Sequence, residues 1–164
     1  MNELLEKIKL IVSEVDGIVT EGLVPYDELQ NVPFKNYFMK DFEAVNELRK
    51  TFPFVFLSSD NSISYHLMRK KNVPFYWAPK DKKSKLVEII NKYGVSPEEV
   101  LFIGSTYSDI ECMHLIPFSF CPADAVNEVK LLSSCQLASI SGMGVLSEVY
   151  DLFKHEISRR IKCS

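Results

Sequence analysis

Three short runs of β-branched and aromatic residues punctuate the chain: IKLIVS from Ile8, FVFLSS from Phe54 and VLFIGS from Val100. Each gives way to a stretch with helical spacing, DFEAVNELRK after the first, NSISYHLMRKK after the second and SDIECMHL after the third. That alternation predicts βα units and an α/β fold around a mainly parallel sheet. A further helix is predicted over KDKKSKLVEIINKY, where Leu86, Ile89, Ile90 and Tyr93 share one face. The SPEE that follows at Ser96 to Glu99 reads as a capped turn before the third strand. PFSFC and CQLAS read as two further short strands, and GVLSEVYDLFKHEI as a closing helix. One segment breaks the rhythm. Between Gly22 and Met39, GLVPYD and VPFKNYFM flank a polar ELQN, which predicts a β-hairpin projecting from the sheet.

Composition narrows the function classes. With 164 residues, 46% of them hydrophobic, the pattern predicts one domain over 1–164 with a core large enough to need no staples. A net charge of −3 and cations scattered outside the Lys80 to Lys85 run argue against nucleic acid as a partner. No apolar run approaches the roughly 20 residues of a membrane span, and the charged MNELLEKIKL does not resemble a signal peptide, so a cytoplasmic protein is expected. Cys112, Cys121, Cys135 and Cys163 show no paired spacing, which favours thiols over metal ligands or disulfides. His66, His114 and His155 lie at no metal spacing and are expected at the surface or its boundary.

In an open parallel sheet, ligands bind beyond the carboxyl ends of the strands. Three such ends carry chemistry: Glu14 to Thr20, Ser58 to Asn61, and Gly104 to Asp109. Together with Lys85 they offer carboxylate, hydroxyl, ammonium and carboxylate in chain order, a set suited to phosphate. Plainer readings exist for each. Asp16-Gly17 would also end a strand in a turn, Lys85 would also sit on a solvated lysine-rich face, and Asp109 would also favour an early helical turn.

The ordered set EVDGIVTEG, KD at Lys40 and Asp41, KSKL with Lys85, IGSTYSD, PADA and SGMGVLSEV resembles the haloacid dehalogenase superfamily. The resemblance is to its small capless branch, which contains 3-deoxy-octulosonate 8-phosphate phosphatase and the phosphatase-like tail of acylneuraminate cytidylyltransferases. It extends from Ile8 to about Phe153. It implies a capless Rossmann-like three-layer sandwich and a homotetramer in which the hairpin at about 22–39 helps enclose a neighbour's site. It also implies a Mg²⁺ site built from Glu14, the Asp16 carbonyl and Asp109, catalysis by Glu14 and Asp16, phosphate binding by Ser58 and Lys85, and a sugar-acid phosphate as ligand.

The departures from that pattern fall on separate tasks. Glu14 stands where the family's aspartate nucleophile is expected, and its extra methylene moves the attacking oxygen by about 1 Å, a misplacement that costs on the order of 10²-fold. Ser105 replaces an acidic metal ligand, so Mg²⁺ binding is expected to be weak or absent. Asp60 occupies the arginine position of a T-G-R motif, and Met143 and Ser147 stand where arginines are common, which removes the clamps for an anionic substrate. The sequence therefore predicts a degenerate phosphatase fold, kept as an oligomeric scaffold or regulatory partner in sugar-acid metabolism. The competing expectation is a working Mg²⁺-dependent phosphatase that forms an acyl-phosphate on Glu14.

Overall fold

The computed structural model describes residues 5–60, 62–78 and 80–163. Its strands are β1 (Leu10–Ser13), β2 (Phe54–Ser58), β3 (Phe75–Trp77), β4 (Val100–Ile103), β5 (Phe118–Cys121) and β6 (Cys135–Gln136). They form one sheet in the order β3-β2-β1-β4-β5-β6, with every pairing parallel. Among the described residues, the α-helices that accompany them are α1 (Met39–Leu48), α2 (Ser62–Lys70), α3 (Lys82–Tyr93), α4 (Ile110–Leu115), α5 (Asn127–Leu132) and α6 (Val145–Cys163). The three predicted strands, the two further short ones and the helices after them are all present. The strand at Phe75–Trp77 and the helix at Asn127–Leu132 have no counterpart in the sequence reading.

Both faces of the sheet are covered, and the period of two along each strand decides which side chain goes where. Ile11, Phe54, Phe56, Leu101 and Ile103 point into one core with α1 and α6. Their neighbours Leu10, Val12, Val55, Leu57 and Phe102 point into the other, against Leu86, Ile89 and Ile90 of α3 and Met113 of α4. Strands buried on both faces read as unbroken apolar runs, which is why they stand out in the sequence. Strand order reverses between β1 and β4, so the crevice where ligands bind in such sheets opens beyond Ser13 and Ile103.

The predicted projecting hairpin is corrected by the structure. Residues 22–38 contain no strand; they run as an extended excursion that reverses at Asp27, whose carboxylate accepts the Leu29 and Asn31 backbone N–H groups. Pro25 and Pro33 remove ladder donors from both arms, and a two-stranded ribbon without further cover is marginal in water. Leu23, Tyr26, Leu29 and Phe34 are all more than half exposed on this excursion.

Among the described side chains, Cys112, Cys121 and Cys135 form no disulfide. Burial, reinforced by Asp109, pushes the Cys112 thiol up to about 12, which leaves it inert. The side chain of Cys163 lies outside the described set. His66, His114 and His155 are exposed.

Candidate active site

The site forms at the strand-order reversal. The Glu14 N–H continues the β1 ladder by donating to the Ile103 carbonyl at 2.9 Å, which fixes the carboxylate beside the end of β4. The chain then makes one helical turn, with Ile18 and Val19 donating to the Val15 carbonyl. Gly17 adopts φ +81°, and a Cβ there would lie 2.2 Å from the Ser105 hydroxyl oxygen. Glycine is therefore favoured by the conformation, and a Cβ would also displace the Ser105 hydroxyl. The Asp16 carboxylate accepts the Thr20 hydroxyl at 3.0 Å, and the Thr20 oxygen accepts the Gly22 N–H.

The ammonium at the centre belongs to Lys82. Its Nζ contacts the Glu14 carboxylate, the Asp109 carboxylate at 2.6 Å and the Ser108 hydroxyl at 2.9 Å, and all three ionised side chains are buried. Lys85, the lysine expected from the sequence, lies one turn further along α3 and pairs with Glu88 at the surface. The physical reason for the correction is helical phase. Lys82 is the first residue of α3, immediately after the Asp81 cap that accepts the Ser84 N–H, and from there its stem reaches the sheet edge.

A second buried ammonium was not anticipated. Lys35, from the excursion, donates to Asp16 at 2.7 Å and to Asp60 at 2.5 Å, with its side chain only 2% exposed. Burial works against its charge, but the hydrogen bonds and charges of Asp16 and Asp60 outweigh that and hold its pKa above the ordinary lysine value. Asp60, in the family's arginine position, thus faces a lysine delivered from elsewhere in the chain. Ser58 ends β2 as expected, buried, with its hydroxyl accepting the Asp60 N–H at 3.3 Å. Trp77, at the end of β3, donates its indole N–H to the Ser59 carbonyl.

The structure brings Glu14, Asp16, Ser58, Ser105 and Asp109 to one edge of the sheet, as the sequence reading requires, and leaves Lys85 out. Several of their oxygens already have partners. Glu14 Oε1 accepts the Val15 N–H at 2.8 Å while Oε2 faces Lys82. Asp109 Oδ2 accepts the Ser105 and Thr106 N–H groups at 2.9 and 3.0 Å, and Oδ1 faces Lys82. The Asp16 carbonyl, the expected metal-binding oxygen, accepts the Ser105 hydroxyl at 3.4 Å.

Mg²⁺ needs hard anionic oxygens with lone pairs free to coordinate, and here a neutral hydroxyl and an ammonium stand against the expected positions. Asp109, expected as a metal ligand, caps the turn after β4 and pairs with Lys82. Four carboxylates and two ammonium groups leave the cluster two charges negative, an environment that opposes a phosphate dianion.

Parallel sheet, reversal point and acid-bearing strand ends together define a Rossmann-like α/β domain with its candidate site at the carboxyl ends of the strands. The chain belongs to the haloacid dehalogenase-like hydrolase family, whose model matches residues 23–149. Among characterised relatives, it is 25% identical to the 3-deoxy-D-manno-octulosonate 8-phosphate phosphatase of Haemophilus influenzae over 155 residues, covering 93% of this chain and 86% of that protein. The cobalt-bound structure of the phosphatase from that organism superposes with a TM-score of 0.88 at 24% identity, covering 94% of this chain and 92% of the other. The corresponding enzyme of Moraxella catarrhalis, solved with magnesium, phosphate and the sugar acid, superposes with a TM-score of 0.86 at 20% identity, covering 99% and 98%. No helix among the described residues is long and apolar enough to cross a membrane.

Proposed function

We propose that this chain is a sugar-acid-phosphate phosphatase-like protein with an impaired hydrolytic site, acting as an oligomeric scaffold or regulatory partner in sugar-acid metabolism of the octulosonate or sialic acid type. The substrate class follows from the phosphatases it resembles over nearly its full length. The impairment rests on one observation above the others, the buried Lys82 ammonium held between Glu14 and Asp109. A carboxylate that attacks phosphorus needs a lone pair aimed at an open position, and a neutral Ser105 offers no charge to draw a metal back in.

Assembly is part of the same proposal. Apolar side chains so exposed on the excursion at 22–39 favour burial against a second copy, with a tetramer as the expected state. Sedimentation of the intact chain at micromolar concentration tests this, and a monomer would reject it. The catalytic reading is tested by phosphate release from 3-deoxy-D-manno-octulosonate 8-phosphate with Mg²⁺ or Co²⁺. The expected wild-type rate is barely above background, with no rise in melting temperature at low millimolar Mg²⁺ relative to NaCl at matched ionic strength. Glu14→Asp with Ser105→Asp should restore more activity than the two single changes combined. Metal-dependent turnover by the wild type that Glu14→Gln abolishes would establish the competing acyl-phosphate mechanism instead.

A further inference from the structure

The opposite end of the sheet has the reverse electrostatic character. Arg49 caps the carboxyl end of α1, and Arg69 lies in the last turn of α2. Both line a cleft of about 330 Å³ walled by Tyr65, Phe75 and Pro74 and floored by the turn at Asn72. A second cleft, of about 340 Å³, shares Arg49 and Pro74 and continues past Lys50 and Thr51 to Tyr93. No Asp or Glu lines either one. Among the described residues, neither guanidinium has a carboxylate partner, although acidic residues outnumber basic ones in the chain by 22 to 19.

Cations at helix carboxyl ends are favoured by the macrodipole, and that alone would explain an exposed arginine in a last turn. It does not explain two arginines from different helices sharing one concavity with an aromatic wall. Tyr65, 44% exposed, stands edge-to-face with Phe75 at 6.1 Å, so one ring supports the other and leaves apolar surface open. Two unpaired forks suit phosphoryl oxygens, which guanidinium binds bidentately, and an open aromatic ring suits a flat heterocycle. Each cleft is an open groove with the volume of a small-molecule site.

We propose that this cleft is a nucleotide-binding site, with the phosphates on Arg49 and Arg69 and the base against Tyr65. It lies at the amino ends of β2 and β3, across the sheet from the Glu14 cluster, and it does not depend on whether that cluster is active. The ligand class is a nucleoside di- or triphosphate rather than a bare phosphate, because the cleft joins two cations to an apolar ring.

Calorimetric titration of the full chain with ADP, pyrophosphate and adenosine tests the assignment. ADP should bind, and pyrophosphate and adenosine should each bind about tenfold or more weakly, since each makes only part of the contacts. Arg49→Gln and Arg69→Gln should each weaken ADP binding about tenfold, and Tyr65→Leu about fivefold, with circular dichroism unchanged because none of the three is buried. Glu14→Gln should leave ADP binding as it is. Absence of ADP binding at millimolar concentration would overturn the proposal, as would equal affinity in the Arg49→Gln/Arg69→Gln double variant. Tighter binding of an acidic peptide such as oligoglutamate than of ADP would overturn it in favour of a protein partner.

Discussion

Replacing Lys82 with methionine gives a direct reading of the buried cluster. The substitution keeps the length of the stem and removes the ammonium, leaving two carboxylates that are 4% and 0% exposed without their cation. Asp109 retains the Ser105 and Thr106 N–H groups on its other oxygen and remains satisfied as an anion. Glu14 keeps only the Val15 N–H, so it carries most of the cost. Removing one partner of a buried pair typically costs about 3–5 kcal/mol. An upper limit follows from protonation, because neutralising an ordinary glutamate at pH 7 takes about 3.7 kcal/mol, at about 1.4 kcal/mol per pH unit. The expected loss is therefore about 3 to 3.7 kcal/mol at pH 7, or about 6–15 °C in melting temperature for a domain of this size. The sign of the pH dependence follows. A carboxyl whose charge the fold now opposes is best tolerated below its unfolded value, so the deficit should shrink to about 1 kcal/mol at pH 5. Urea unfolding of wild type and variant at both pH values measures this, with Lys85→Met as the control at less than about 0.5 kcal/mol, because its partner is exposed. A loss below about 1 kcal/mol at pH 7, or one equal at both pH values, would refute the buried ion cluster.

Three further outcomes are expected. Lys35→Met should cost about 1–3 kcal/mol and Asp60→Asn clearly less, because the ammonium is buried while the Asp60 side chain is 41% exposed; chemical denaturation of both variants compares them. Gly142→Ala should be destabilised by about 3 kcal/mol or more in the same assay, since the residue sits at φ +67° and a Cβ would meet the Glu21 and Thr20 backbone at 2.5 and 2.6 Å. Burial pushes the Glu148 carboxyl up, but the Ala138 and Ser139 N–H groups it accepts outweigh that and hold its pKa below the usual glutamate value. Glu148→Gln should thus cost about 1 kcal/mol at neutral pH, and its difference from wild type should disappear as pH falls through the folded pKa below 4.5; melting curves from pH 7 to 3 follow this.

Local periodicity carried the architecture. Each strand's alternate residues divide between two cores, so β1, β2 and β4 appear as continuous apolar runs, and the parallel order follows from helices between them. The strand ends that bear Glu14, Ser58 and Ser105 were legible for the same reason, because fixing the strands fixes where they stop. Short elements were not. Phe75–Trp77 has three residues and Asn127–Leu132 six, too few for a period to emerge, and both depend on neighbours for their stability.

Tertiary structure alone decided the charge pairing. Lys82 meets Glu14 across 68 positions of sequence, and Lys35 meets Asp60 across 25, so no local pattern links either pair. Choosing between Lys82 and Lys85 required the phase of α3 relative to the sheet edge, a property of helix docking that the lysine-rich run does not encode. The predicted hairpin failed because alternation marks extended chain, whereas a ladder also needs donors and cover, and the two prolines and the exposed apolar side chains supply neither. The convergence of Arg49 and Arg69 was hidden for a related reason. Cations that look scattered along the chain are gathered at one end of the sheet because α1 and α2 both finish there.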